Sequence, residues 1–222
     1  NFSKISLYFS DTVFNISLPL SNSILILFSL FSFNCQDKDA YPWSMDSLDN
    51  IIVKNSGKMI LVDFETDWWT WCDRLDNDTY SDERIIKYAS ENLISIKIDA
   101  EKGSGPEQKK KYRVRGYPTI LLLDSFGNEI DRIVGYRPPD EFMAELVRIE
   151  SGTNTLSSLQ SKYLRNMDDP SLELTLVEKY IDLNVKDSAE KHLKNALQYY
   201  EQENEFTFQN IFNISQLYYR IG

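Results

Sequence analysis

The sequence is poor in cysteine and histidine, with two cysteines and one histidine among its 222 residues. A structural zinc site takes about four Cys or His ligands at close spacing, which Cys35, Cys72 and His192 cannot supply. Basic residues are also in the minority, since 24 Lys and Arg stand against 34 Asp and Glu, for a net charge of −10. A nucleic-acid-binding domain normally carries a basic face. We therefore expect no nucleic-acid partner, no metal centre and no cofactor.

Long apolar runs are scarce as well. Residues 24–33 (ILILFSLFSF) form a run of ten, whereas a helix needs about 20 residues to span a bilayer. The length suits the hydrophobic region of a secretory signal, and Cys35 follows it as in the lipidation site of bacterial lipoproteins, which this segment resembles. We expect residues 1–35 to be a signal peptide or lipoprotein signal, so that the protein is exported, periplasmic or membrane-anchored. The alternative is a longer anchor, counted from Ile16, that stays in the membrane.

Residues 59–65 (MILVDFE) are predicted to form a buried strand. The run is apolar except for Asp63 and the terminal glutamate, lacks the spacing of a helix, and lies between Gly57-Lys58 and Thr66-Asp67, as expected of a strand covered on both faces. A helix is predicted from about Trp71. In α/β folds the junction of a strand and a helix N-terminus often carries the chemistry, because free N–H groups and the helix dipole converge there.

The flanking sequence predicts an alternation of helices and strands over residues 45–151, after a linker at residues 36–44. The other predicted elements are a helix over 45–54, a helical stretch that continues to Ala89, a strand over 93–98, a helix over 107–112, strands over 119–123 and 129–134, and a helix over 140–150. The last two strands are close enough along the chain to form an antiparallel hairpin.

The segment from 59 to 76, MILVDFETDWWTWCDRLD, resembles the active-site segment of the thioredoxin superfamily, which one branch writes D-W-C-G-W-C-K-K-L-D. Aligned without gaps, Asp63 matches the family's buried strand aspartate and Cys72 its second cysteine, while Trp69 stands in place of the first. Residues 113–119 (RVRGYPT) match the family's cis-proline loop at Tyr117 and Pro118. The resemblance implies a thioredoxin-like α/β fold with a central mixed sheet flanked by helices and a cis-Pro loop.

The resemblance also implies roles for the candidate catalytic residues. In the family the first cysteine attacks a disulfide and the second resolves the mixed disulfide, a two-step reaction that Trp69 interrupts. Cys72 is then expected to be a half-buried resolving cysteine, with Asp63 as its proton acceptor or, alternatively, as a hydrogen-bonded strand residue. A three-residue insertion before Trp71 would instead make Cys72 the nucleophile, as in monothiol relatives.

Aromatic residues are predicted to form a peptide-binding surface at the same place. Trp69, Trp71 and Tyr117 are expected beside Pro118, where the family holds an extended peptide by backbone pairing. Aromatic side chains suit such a surface because they bury a large area at small entropic cost. Trp68, by contrast, is expected to pack the helix onto the sheet.

Residues 155–222 are predicted to be all-α. Their pattern of small and large residues resembles a tetratricopeptide repeat, and it is carried by Leu176, Tyr180, Ala189, Leu193 and Ala196. The alternative is a helical hairpin packed on the α/β domain. Because repeat arrays need several units, we expect a truncated sequence, with further helical repeats beyond Gly222 or a partner protein on this surface.

Three functional hypotheses follow. The first is an exported thioredoxin-like protein that binds polypeptide clients or partners without dithiol turnover. The second is a thiol:disulfide oxidoreductase that acts through Cys72 alone or with an outside thiol such as glutathione. The third is a spacer that presents the helical repeats. A reactive Cys72 favours the second hypothesis, and a buried, inert Cys72 favours the first or the third.

Overall fold

The computed structural model describes residues 4–9, 12–17, 40–167, 169–203 and 207–221. The chain divides into two compact units, Asn1–Lys38 and Asp39–Gly222. In the first unit β1 (Lys4–Phe9) pairs antiparallel with β2 (Thr12–Ser17). The apolar run at residues 24–33 and the candidate lipidation site at Cys35 lie outside the described residues. Among the residues described, no helix has the length and apolar character needed to cross a membrane.

The second unit begins with an α/β arrangement and ends with helices. Its elements are α1 (Leu48–Lys54), β3 (Met59–Glu65), α2 (Thr70–Arg74), α3 (Glu83–Asn92), β4 (Leu93–Asp99), α4 (Gly105–Lys111), β5 (Thr119–Leu123), β6 (Glu129–Val134), α5 (Pro139–Glu150), α6 (Leu156–Arg165), α7 (Pro170–Asp182), α8 (Lys186–Gln202) and α9 (Phe208–Ile221). The predicted bounds of β3, β5 and β6 are confirmed.

Two helix predictions need correction. The first helix begins at Leu48 rather than at residue 45, because the Ser47 side chain accepts a hydrogen bond from the Asn50 amide and caps it there. The helical stretch expected from Trp71 to Ala89 is interrupted. A π-helical turn, Leu75–Thr79, follows α2, and Asp82 caps α3 as a separate helix.

The sheet is mixed, as predicted, with strand order β4-β3-β5-β6. Strand β3 runs parallel to β4 and antiparallel to β5, which is antiparallel to β6. One sheet face contributes Leu61 to a core with Leu75 and Phe142, and the other contributes Val62 to a core with Ile51. Because alternate strand residues share a face, Asp63 lies on the Leu61 side, toward α2 and the π-helical turn.

The segment before α1, expected to be a linker, packs against the edge of the sheet. Tyr41 is buried, and its hydroxyl lies 3.1 Å from Ser95 Oγ in β4. Trp43 forms a parallel bridge with the same residue. The chain therefore enters the domain along β4, which brings the Trp43 ring to the site described below.

The C-terminal helices share a core of their own and attach to the α/β domain. That core contains the residues that suggested a repeat, among them Leu176, Ala189 and Leu193, although the repeat assignment stays a prediction. Helix α6 packs against β6. In β6 the buried Asp131 accepts at Oδ2 from Arg148 Nη2 at 2.8 Å and from Lys179 Nζ at 2.7 Å. Since Lys179 belongs to α7, this ion cluster ties the helical segment to the sheet.

Candidate functional site

The candidate site lies where β3 gives way to α2. The Trp69 amide donates to the Thr66 carbonyl at 3.3 Å, which turns the chain after the strand. Trp69 itself has an extended backbone and precedes the first residue of α2, and its carbonyl accepts from the Cys72 amide at 2.9 Å. The tryptophan thus occupies the start of the helix, and Cys72 lies within the first turn.

Cys72 is a buried thiol. The residue is 3% exposed. Burial raises the pKa of the thiol to about 11, with the Thr66 backbone amide opposing the shift and the Asp63 and Glu65 carboxylates adding to it. Because the thiolate is the reactive form of cysteine, Cys72 is protonated and poorly nucleophilic at neutral pH. This placement matches the expected resolving cysteine more closely than a working nucleophile.

Asp63 is buried directly behind this turn. It lies in register with Lys97 of the parallel strand β4. The buried Tyr80 hydroxyl interacts with this carboxyl group and slightly opposes the rise in its pKa. Burial raises the pKa of Asp63 to about 7, partly opposed by Lys97 and reinforced by Glu65 and Asp76. The carboxyl group can therefore take up or release a proton near neutrality, as its candidate role requires.

The sequence analysis missed Lys97. Its Nζ lies 2.6 Å from Glu65 Oε2 and 2.6 Å from both carboxylate oxygens of Asp76, and 5.1 Å from the centre of the Trp43 ring. Burial lowers the pKa of Lys97, but the surrounding carboxylates outweigh it and leave the pKa raised. A lysine in the middle of the apolar strand LISIKID was the available signal, but its partners became visible only with the strand register.

Three carboxylates meet at this lysine. Asp63, Glu65 and Asp76 each place an oxygen within 4.8 Å of the others, and oxygen-only sets of this kind suit hard cations such as Mg²⁺ or Ca²⁺. The Lys97 ammonium group already bonds two of the three. We therefore assign the cluster to an ion network in which lysine supplies the positive charge.

The expectation for Trp68 was wrong. The side chain is 61% exposed, and its indole N–H donates to Glu101 Oε2 at 3.0 Å in the loop between β4 and α4. The residue of this stretch that joins the sheet core is Leu75, directly after α2, and not Trp68. Residue 68 is left in the preceding loop, where its ring meets Trp69 edge-on at a centroid distance of 5.4 Å.

Trp69 and Trp71 remain exposed as predicted, by 37% and 44%. The Trp71 ring packs on Tyr136 at 5.8 Å, and the Arg74 guanidinium lies 5.4 Å and 4.6 Å from the centres of the two rings. We call the exposed set Trp68, Trp69 and Trp71 the tryptophan rim. Tyr136, which follows β6 by two residues, is an aromatic neighbour of the rim that the sequence analysis did not identify.

The other two predicted binding residues lie deeper. The Tyr117–Pro118 peptide bond is cis, and Pro118 is buried. Tyr117 is half-buried against the core on the Val62 side of the sheet, with Lys109 Nζ 5.0 Å from its ring centre. The exposed aromatic surface is therefore formed by the tryptophan rim, with Tyr117 and Pro118 set back from it.

The family described as a thioredoxin-like domain matches residues 47–150, the stretch that carries this sheet and site. Residues 47–150 form a thioredoxin-like domain. The thiol:disulfide interchange protein DsbD of Photorhabdus laumondii is 35% identical over 104 residues, which are 45% of this chain and 18% of that protein. DsbD of Yersinia pestis is 29% identical over 106 residues, 46% of this chain and 18% of that protein. The alignments thus span about a fifth of the length of these relatives.

Two solved structures are also similar to this chain. A putative disulphide-isomerase from Bacteroides thetaiotaomicron is 28% identical with a TM-score of 0.44, over 50% of this chain and 95% of that chain. A DsbH oxidoreductase is 18% identical with a TM-score of 0.45, over 55% of this chain and 96% of that chain.

Proposed function

We propose that this chain is an exported thioredoxin-like protein that binds polypeptides through the tryptophan rim and lacks dithiol turnover. The helical segment supplies a second protein-binding surface in this proposal. Export rests on the apolar run at residues 24–33 followed by Cys35. Cell fractionation of the wild type and of Cys35→Ser checks export and lipid anchoring separately, because a plain secretory signal does not depend on the cysteine.

The observation that carries the proposal is the exchange of a thiol for an indole at the start of α2. In the ungapped alignment, Trp69 occupies the position at which the thioredoxin superfamily has its attacking cysteine. Cys72, three residues on, is buried with a raised pKa. Disulfide exchange requires a thiolate that can reach its target, so neither residue supplies the first step of dithiol turnover.

The rim has the properties of a binding surface. Exposed tryptophans are frequent energetic centres of protein interfaces, because their large rings bury much area with few rotatable bonds. Hydrogen bonding to Glu101 and packing on Tyr136 hold Trp68 and Trp71 in place before a ligand arrives. Such preorganisation lowers the entropic cost of binding.

A binding titration tests this proposal. Tryptophan fluorescence of the whole chain is followed while an unfolded, carboxymethylated polypeptide, which has no free thiol, is added. Trp69→Ala should weaken binding by about tenfold or more, as expected for an interface centre. Phe126→Ala is the matched control, because Phe126 is also exposed but follows β5 at the far end of the sheet from Thr119. Equal effects of the two substitutions, or no binding by the wild type, would contradict the proposal.

A second candidate is a monothiol oxidoreductase that uses Cys72. The similarity to proteins named thiol:disulfide interchange protein favours it. Alkylation of Cys72 with iodoacetamide in the folded protein discriminates the two functions. Fast reaction below pH 7 and a trapped mixed disulfide with glutathione would support the enzyme, whereas protection until denaturant is added would support the binding protein. Trp69→Cys should create disulfide reductase activity if the ungapped alignment holds.

A further inference from the structure

Carboxylates surround the exposed tryptophans Trp68 and Trp69. Asp67 precedes them in the loop, and Asp73 lies in the first turn of α2, four residues after Trp69 in the chain. Glu101 reaches the pair from the neighbouring loop, where it accepts the Trp68 indole N–H. All three carboxylates belong to exposed residues. The part of the rim formed by Trp68 and Trp69 is therefore aromatic and acidic together.

The β4–α4 loop is built to hold Glu101 at this position. The backbone amide of Glu101 donates a hydrogen bond to Asp99 Oδ1 at 2.9 Å. Lys102 Nζ forms salt bridges with both Asp99 and Asp67. At Gly105 a Cβ would lie 1.8 Å from the Asp99 carbonyl oxygen, so the loop closes this tightly only with glycine. The acidic side of the rim is thus fixed by the backbone of a neighbouring loop.

The charges around Trp68 and Trp69 are only partly balanced within the chain. Lys102 pairs with Asp67, but Asp73 and Glu101 form no salt bridge with any described residue. Nor does a lysine or arginine of the described part of the chain lie over the ring of Trp68 or Trp69. An aromatic face attracts a cation through its quadrupole, most strongly for tryptophan. Two indoles with two unpaired carboxylates are therefore complementary to a positive side chain.

The other end of the rim shows how such a group is held. At Trp71 the chain's own Arg74 guanidinium lies over the Trp71 and Tyr136 rings, and its Nε is 3.2 Å from Asp78 Oδ2. Two ring faces and one carboxylate thus receive a guanidinium at the surface. The Trp68 and Trp69 end has the same components without an internal arginine.

We propose that the tryptophan rim selects extended polypeptides that carry arginine or lysine beside an apolar residue, with the cationic side chain between Trp68, Trp69, Glu101 and Asp73. This inference rests on the proposed function and names the class of polypeptide that the rim binds. Apolar ligand residues cover the indoles, and the carboxylates add a preference for positive charge. Opposite charge across the interface also speeds encounter at low salt.

Two peptides that differ in one residue test the preference. Acetyl-Ala-Phe-Arg-Phe-Ala-amide and its Gln analogue are titrated into the full chain, with binding read from tryptophan fluorescence. The wild type should bind the Arg peptide about tenfold more tightly, because a cation–π contact and an exposed ion pair combine. Half-molar salt should reduce this ratio by screening. A Lys peptide should keep part of the preference.

Charge-neutral variants locate the effect. The double variant Asp73→Asn with Glu101→Gln should bring the Arg-to-Gln ratio close to one, because it removes both carboxylates from the cationic side chain's surroundings. Glu91→Gln is the matched control, because Glu91 is exposed and lies before β4, at the opposite end of that strand from the site. Circular dichroism confirms that each variant is folded.

The outcomes separate the two proposals. Equal binding of both peptides, abolished by Trp69→Ala, would overturn the charge preference and keep the peptide-binding function. A preference that the double variant leaves intact, or that Glu91→Gln reduces equally, would assign it to the net charge of the chain and overturn the inference. Absence of binding for every peptide would overturn both proposals.

Discussion

Two aspartates are buried in the same sheet, and they differ in whether a cationic side chain donates a hydrogen bond to them. Asp131 in β6 accepts at one oxygen from both Arg148 and Lys179. Asp63 in β3 receives no hydrogen bond from a cation among the described residues, although Lys97 lies in register with it, because that lysine donates to Glu65 and Asp76 instead. The first is an anchor for two cations, and the second can bind a proton near neutrality.

The two carboxyl groups differ in the partners that replace water around them. A buried charge is tolerated where partners replace water, and Asp131 meets that condition between the thioredoxin-like domain and α7. Asp63 does not, so burial raises its pKa to about 7. Asp63 is therefore the carboxyl group of this pair that can exchange a proton near neutrality, and Asp131 is the one that joins β6 to α7.

The largest expected effect comes from breaking the anchor. Asp131→Asn removes the negative charge shared by Arg148 and Lys179 and leaves both cations without their buried partner. Removing one member of a buried ion pair typically costs about 3–5 kcal/mol of unfolding free energy. Urea unfolding followed by circular dichroism should show this loss. A cost below about 1 kcal/mol would mean that Asp131 does not join the two regions energetically.

Asp63 should make stability depend on pH. Its folded pKa, about 7, lies above the ordinary value of 3.8, so between these values the folded state binds more protons than the unfolded state. The free energy of unfolding should therefore fall as pH rises from about 4 to about 7, by about 2–4 kcal/mol, and change little from this group above pH 7. Urea unfolding at a series of pH values measures the slope.

Asp63→Asn isolates this contribution. The amide cannot ionise, so the free energy of unfolding of the variant should match that of the wild type near pH 4. Above pH 7 the variant should be more stable by about 2–4 kcal/mol, which is the total loss that ionisation of Asp63 causes in the wild type. A parallel pH dependence in variant and wild type would assign the slope to groups other than Asp63 and would contradict its raised pKa.

Lys97→Met tests how far the nearby positive charge limits the pKa of Asp63. Lys97 lowers the pKa of Asp63, so the carboxyl group should titrate at higher pH in the variant. Carbon-13 NMR of labelled aspartate carboxyl groups follows the midpoint directly, with Asp63→Asn identifying the signal. An unchanged or lowered midpoint would show that Lys97 does not act on Asp63 through charge.

The sequence indicated the strand and the cysteine of the site but not its electrostatics. The strand at residues 59–65 could be predicted because its apolar run is visible within a short stretch of sequence. The positions of Asp63 in this strand and of Cys72 soon after it could then be predicted as well. Lys97 becomes a neighbour of Asp63 only through the parallel register of β3 and β4. Parallel strands are joined by a long connection, so their register cannot be predicted from a short stretch of sequence.

Longer-range features escaped prediction for the same reason. Lys179 meets Asp131 across 48 residues of sequence, and no periodic pattern links them. Trp68 was misassigned because its neighbours Trp69 and Trp71 gave no indication of which rings face the core. Leu75 joins the core and Trp68 does not, which is a property of packing rather than of spacing.

The smallest expected effect tests whether the buried Asp131 or the partly exposed Glu145 contributes more to stability through Arg148. Its Nη2 also lies 2.8 Å from Glu145 Oε2, whose side chain is partly exposed. Glu145→Gln should therefore lower the free energy of unfolding by less than about 1 kcal/mol, as for surface pairs. Because both carboxylates share Arg148, the double variant with Asp131→Asn should depart from additivity. A loss from Glu145→Gln as large as that from Asp131→Asn would place the anchor at the surface and remove the distinction between the two buried aspartates.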